Sequence, residues 1–214
     1  MSDYLAIGWE EFCFTIPEWW MPIDLSGDIP VQVDALLASQ FAGRPAELDR
    51  AIELGRDQLI ASFEEAHKAG VHLVLAESRP MFGEPDEPVL TGAQVLVSRM
   101  AVPEKTTGLN HLLPEMVSNP DGRLRNLGGM AVFRHETTSD GTEEAKLMYK
   151  KAGGALHNTA PVAKHLVRYL VGPVEMGKPW AAMAISINEG VMAPEVARPL
   201  LNLVDSIALT VRTL

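Results

Sequence analysis

The chain has 214 residues, 47% of them hydrophobic, with 28 acidic against 18 basic residues and a formal net charge of −10. That length suits one domain over residues 1–214 with a sizeable buried core. The acidity and the lack of long basic clusters argue against a phosphate-tracking, nucleic-acid-binding surface. No uncharged apolar run is long enough for a membrane span. The first residues, Met1-Ser-Asp-Tyr-Leu, carry no basic group and soon reach Glu10-Glu11, unlike a secretory signal. Cys13 is the single cysteine, which excludes an internal disulfide and fits a reducing, cytoplasmic setting.

In chain order, residues 11–16 read as a short strand closed by Pro17. Residues 19–25, Trp-Trp-Met-Pro-Ile-Asp-Leu, are apolar but too broken by proline for a regular element. The pattern predicts a first helix over 31–41, ended by Gly43, and the longest helix over 45–69, with Gly70 as its C-terminal cap. The stripe of that second helix runs Leu48, Ile52, Gly55, Leu59, Phe63, Ala66, and Gly55 on it suggests a close backbone approach to a neighbour. Residues 71–77 and 90–102 read as strands of one hairpin, with a loop over 79–88 between them.

A short helix over 109–118 precedes the turn Asn119-Pro-Asp-Gly122. Residues 127–136 read as a strand containing Gly128-Gly129, followed by a turn at Ser139-Asp140-Gly141. Residues 144–151 are ambiguous between strand and helix, and hold the only short basic cluster, with Arg123 and Arg125 nearby in sequence. Residues 162–171 and 180–188 form a hairpin around the loop 172–179. In its second strand Met183, Ile185 and Ile187 fall on one face, and Ala182, Ala184 and Ser186 on the other. The large face suits a packed helix; the small one suits a close second layer or an open surface.

The final helix starts at Pro199, with at most one loose turn before it. Its stripe is Leu200, Leu203, Val204, Ile207 and Val211, while Asn202, Asp205 and Arg212 lie away from it. Hairpin-connected strands with helices grouped around them imply an α+β fold, an antiparallel β-sheet flanked by helices.

Three features together resemble the PsbP-like α/β/α sandwich. They are the early Phe14-Thr-Ile-Pro17…Trp20 segment with Asp24-Leu25, the strand Gly128-Gly-Met-Ala-Val-Phe-Arg134, and the hairpin of residues 167–187 with its closing amphipathic helix. Within that group the chain resembles uncharacterised bacterial proteins of about this length. Most members of that fold group are binding or assembly proteins, so the resemblance implies a non-catalytic role and transfers no site residue.

Chemical motifs are weak. Gly172-Pro-Val-Glu-Met-Gly177-Lys178 has the glycine and lysine spacing of a phosphate-binding loop, but Pro179 stands where Ser or Thr should hold magnesium and a strand follows instead of a helix. Glu64-Glu-Ala-His67 has the one-turn carboxylate–imidazole spacing of di-iron bundles, which require a second copy that the chain lacks. His135 and His165 lie on strands and could approach across the sheet. Cys13 within an apolar strand reads as a buried inert thiol, and no nucleophile elbow is present. No catalytic, cofactor-binding or metal-ligating residue is therefore assigned.

Trp19-Trp20-Met21 is the candidate contact site. Neighbours on extended backbone point opposite ways, so one indole should plug the core while the other finds a second pocket or lies at the surface. The expected function is a non-catalytic protein-binding or accessory role through this apolar patch, toward another protein. The alternative is a small molecule held in a cavity between sheet and helices.

Overall fold

The computed structural model describes residues 4–43, 49–80, 82–84, 87–89, 91–127, 129–143, 146, 162–189 and 194–214. The elements run β1 (Tyr4–Trp9), β2 (Phe12–Pro17), β3 (Trp20–Asp24), α1 (Ile29–Gln40), α2 (Asp49–Lys68), β4 (Leu73–Glu77), β5 (Phe82–Glu84), β6 (Glu87–Val89) and β7 (Gln94–Met100). They continue with α3 (Gly108–Ser118), β8 (Arg123–Leu127), β9 (Met130–Asp140), β10 (Ala163–Pro173), β11 (Trp180–Glu189), α4 (Pro194–Thr210) and β12 (Arg212–Thr213).

The main sheet has seven strands in the order β3-β4-β7-β11-β10-β9-β8, and every neighbouring pair is antiparallel. A second sheet, β1-β2-β12, and a two-stranded ribbon, β5-β6, complete the described strands. The fold is α+β, as the hairpin reading predicts.

Period-two alternation gives the main sheet two apolar faces. On one, Leu75, Val97, Met183, Ile185, Val167 and Val171 meet Phe12, Phe14 and Ile16 of β2 and the α4 stripe. Leu200, Val204 and Ile207 of that stripe are fully buried, as is Val211 just beyond the end of the helix at Thr210. Each is worth roughly 1.5–3 kcal/mol relative to exposure. Leu203 is only partly buried. On the opposite face α1 and α2 cover the β3–β4 end through Val33, Leu36, Leu37 and Phe63, while α3 covers the far end through Leu112 against Phe133 and Trp180. Between these covers the small residues Ala182 and Ala184 stay half-exposed and Ser186 exposed, the open-surface outcome for that face.

Local chemistry fixes the helix ends. Asp28 caps α1 by accepting from the Val31 N–H at 3.1 Å. Thr107 caps α3 by accepting from the Asn110 N–H at 3.2 Å. Each side-chain oxygen satisfies one of the donors that a helix leaves unpaired at its start. Gly70 (φ 88°) ends α2 in a Schellman arrangement, with Gly70 N–H donating to the His67 carbonyl and Val71 N–H to the Ala66 carbonyl.

Several expectations need correction. Residues 20–24 form a strand despite Pro22, because β3 is an edge strand and one side of its backbone needs no partner. Residues 4–9 form β1, and part of the expected loop 79–88 forms the β5–β6 ribbon. Gly129 belongs to a hairpin turn between β8 and β9, not to a strand interior: Leu127 pairs with Met130, and Gly129 takes φ 97°. Its neighbour Gly128 lies outside the described residues. The expected turn at 139–141 is drawn into β9, whose Ser139 and Asp140 pair with Lys164 and Ala163. Helix α4 begins at Pro194 and carries Pro199 inside it, with Ala197 and Leu200 buried on either side.

Gly55 approaches nothing: a Cβ added there would have no neighbour within 4 Å. Close glycine approaches are at Gly108 and Gly172, where an added Cβ would overlap the Trp180 indole, and at Gly122, where it would overlap the Phe133 ring. The Trp180 indole donates to the Pro173 carbonyl at 3.0 Å. The expected helix starting at residue 45 begins outside the described residues, as does most of 144–151.

Candidate functional site

At the β8 end of the main sheet, the face under α4 turns from apolar to polar. In β9 the inward row Val132, Arg134, Glu136, Thr138 follows from alternation, and β10 contributes Tyr169 and His165 on the same side. Register sets Arg123 of β8, Arg134 of β9 and Tyr169 of β10 in one cross-strand row. Helix α4 passes over this row and lowers Asp205 onto it. The result is a cavity of about 510 Å³ lined by Asp121, Arg123, Arg125, Val132, Arg134, Glu136, Thr138, Tyr169, Asp205 and Leu209.

The floor is a connected polar network. Arg134 Nε donates to Asp205 Oδ1 at 2.8 Å and Nη2 donates to Glu136 Oε2 at 2.9 Å. The Tyr169 hydroxyl donates to the same Asp205 oxygen at 2.5 Å. The Arg134 guanidinium lies 5.9 Å from the Tyr169 ring centre, within reach of a cation–π attraction. His165 Nδ1 stands 3.1 Å from Glu136 Oε1 and 3.3 Å from Thr138 Oγ1.

Burial and the Asp205 hydrogen bond both push the Tyr169 phenol well above its ordinary value, so it is a proton donor at neutral pH. Burial alone would lower Arg134, but its bonds to Asp205 and Glu136 outweigh that and hold it above the usual arginine range. Both groups are thus fixed in their binding forms. Glu136 and Thr138 both meet the same His165 nitrogen, Nδ1.

No protein-family model matches this chain, and no curated protein matches it either. The meaning of the site rests on its own chemistry.

The Trp19-Trp20-Met21 patch does not form one contact surface. Trp20 is 2% exposed and belongs to the main core. It is the indole of the pair that plugs the core, because alternation along β3 sends it inward beneath the small sheet. Met21 points to the other face and packs partly against the α1–α2 cluster. Trp19 is half-buried against the main core, 6.4 Å from the Tyr4 ring, and its carbonyl accepts from Ser78 N and Oγ at 2.8 and 2.9 Å.

The other sequence candidates also disperse. Residues 174–179 are a hairpin loop between β10 and β11, so no helix N-terminus faces the glycines. His135 and His165 lie on opposite faces, since His135 pairs with Arg168 and His165 with Thr138; His135 Nε2 stands 3.3 Å from Asp121 Oδ1 instead. Glu64 and His67 are both exposed on α2. Cys13 is half-buried rather than buried, because Phe12 and Phe14 take the inward positions of β2.

The sequence patterns do not single out Arg134, Tyr169 and Asp205. A signal for two of them is present: Arg134 and Glu136 continue the inward row begun by Val132, and Tyr169 sits between inward Val167 and Val171. Asp205 reads as a solvent residue because the α4 stripe, taken by itself, says nothing of the polar strand face beneath it.

Proposed function

We propose that this protein binds a small molecule in the cavity between β8–β10 and α4, and that it does so without catalysing a reaction. The observation that carries the reading is the paired floor of Arg134, Asp205, Tyr169 and Glu136 beneath an open cavity of about 510 Å³. That volume lies within the range of small-molecule sites, and convergent polar groups over an otherwise apolar core are how such sites orient a ligand. The network keeps its side chains in place before any ligand arrives, which lowers the ordering cost of binding. A likeness to the PsbP-like binding proteins belongs to the same proposal, supported by the antiparallel sheet with helices on both faces, and so does a cytoplasmic location, supported by the single cysteine, Cys13.

The test is a thermal-shift screen of a small-molecule library on the full chain and on Thr138→Trp. Thr138 is exposed on β9, so an indole there would fill the cavity without entering the core. Compounds that raise the melting temperature of the wild-type chain should lose that effect in Thr138→Trp. A screen without stabilising compounds, or with compounds indifferent to the substitution, would sink the proposal.

A protein partner is the second reading, favoured by one observation. Leu113 and Val117 are 52% and 79% exposed on α3. Four residues apart on one helix, they form a neighbouring apolar pair of the kind that marks a contact surface. If a partner docks there, Leu113→Glu/Val117→Glu should abolish its co-purification while leaving the library hits intact.

A further inference from the structure

Three guanidinium groups share the cavity, and among the described residues only one of them meets an acid. Arg123 stands directly opposite Arg134 across the β8–β9 pair, and Arg125 lies two residues further along β8. Opposed side chains have Cβ atoms about 4.5–5.5 Å apart, and alternate residues on one strand are roughly 7 Å apart. The three cationic side chains therefore start from one small patch of sheet, where like charges opposite one another destabilise the pairing.

The acids of the site do not resolve this. Asp205 and Glu136 both bond Arg134, and Asp121 faces His135. Arg123 and Arg125 have no acidic partner among the described residues, yet both line the cavity. Arg134 cannot be displaced to relieve them, because Asp205 and Glu136 hold two of its three nitrogens. Its Nη1 takes no partner among the described residues and is left to donate.

Two guanidiniums that meet no acid among the described residues, beside a third, call for an anion. Planar guanidiniums match carboxylate and phosphate oxygens in bidentate fashion, and such charge-assisted bonds are about twice as strong as neutral ones. The net charge of −10 opposes the approach of a long polyanion. A single small anion needs only the local field of the pocket.

We propose that Arg123 and Arg125 anchor the ligand by a doubly charged oxyanion, the shared chemistry of phosphomonoesters and dicarboxylates, with Arg134 Nη1 as the third donor. The floor network then meets the uncharged remainder of the molecule. This inference rests on the pocket reading above and adds the class of ligand.

The experiment is calorimetric titration of the full chain with glycerol 3-phosphate, succinate and uncharged glycerol, at low and at high salt. Its variants are Arg123→Gln/Arg125→Gln, both exposed positions whose replacement leaves the core intact, and Thr138→Trp. At least one of the two dianions should bind the wild-type chain, more weakly at high salt, and glycerol should not. The arginine double variant should bind that dianion roughly tenfold or more weakly. Preference for glycerol 3-phosphate over succinate, or the reverse, identifies which source of the oxyanion the site takes.

If neither dianion binds, or the double variant binds as tightly as the wild-type chain, the inference is overturned. It is then separable from the pocket reading, which survives if a neutral library compound still binds and is lost in Thr138→Trp. Dianion binding that needs the arginines but persists in Thr138→Trp would keep the anchor and overturn the pocket.

Discussion

The Tyr169 hydroxyl and the Arg134 Nε converge on a single oxygen, Oδ1 of Asp205, at 2.5 and 2.8 Å. One carboxylate oxygen thereby ties two neighbouring strands to the helix that crosses them. Removing its charge with Asp205→Asn should leave Arg134 dependent on Glu136 alone. Because these side chains are part-exposed, the cost is discounted from the fully buried case to about 1–2 kcal/mol. Denaturant unfolding of the variant checks it; a loss below about half a kcal/mol would mean the network does not tie α4 to the sheet.

Tyr169 also predicts the behaviour of the protein in alkali. Burial and Asp205 raise its folded-state pKa above the ordinary value near 10. Below that value both folded and unfolded chains hold the phenolic proton, and the contribution to stability is fully present. As pH rises past it, only the unfolded chain releases the proton, so stability falls. Absorbance titration should show a phenol, that of Tyr169, which ionises only as the chain unfolds. That late phase should vanish in Tyr169→Phe, and its persistence there would assign it to another tyrosine.

The adjacent tryptophans should separate cleanly. Trp20 is a fully buried indole, and Trp20→Ala should destabilise by roughly 3–5 kcal/mol. Trp19→Ala, on a half-buried ring, should cost less, about 1–2 kcal/mol. Equal losses in urea melts would show that Trp19 is as deep in the core as its neighbour.

Gly55 offers a stabilising change. It lies inside α2 with open space where a Cβ would sit. Gly55→Ala should therefore gain about 0.5–1 kcal/mol from helix propensity and reduced unfolded-state entropy. A destabilised Gly55→Ala in thermal melts would mean that α2 packs more closely against α1 than the structure has it.

The layered α+β architecture is legible in the sequence because most of it is written in local periodicity. The alternation of Met183 and Ile185 and the stripe of Leu200, Val204 and Ile207 each report one buried face, and Gly70 reports a helix end. What escapes depends on neighbours distant in sequence. Pro22 reads as a breaker until β3 is known to be an edge strand, and Gly129 reads as strand until β8 folds back on β9. The pocket is hidden for the same reason. Arg123, Arg134, Tyr169 and Asp205 are scattered along the chain, and only strand register and the path of α4 bring them together.

The most direct test of the pocket is to map binding residue by residue, using backbone and arginine side-chain resonances of the full chain titrated with glycerol 3-phosphate and succinate. Saturable shifts are expected at the Nε–Hε groups of Arg123, Arg125 and Arg134 and at the amides of β8, β9 and the Asp205 turn of α4. Shifts centred instead on Trp19 and Met21 or on α3, or none with either anion, would contradict the pocket and its arginine anchor.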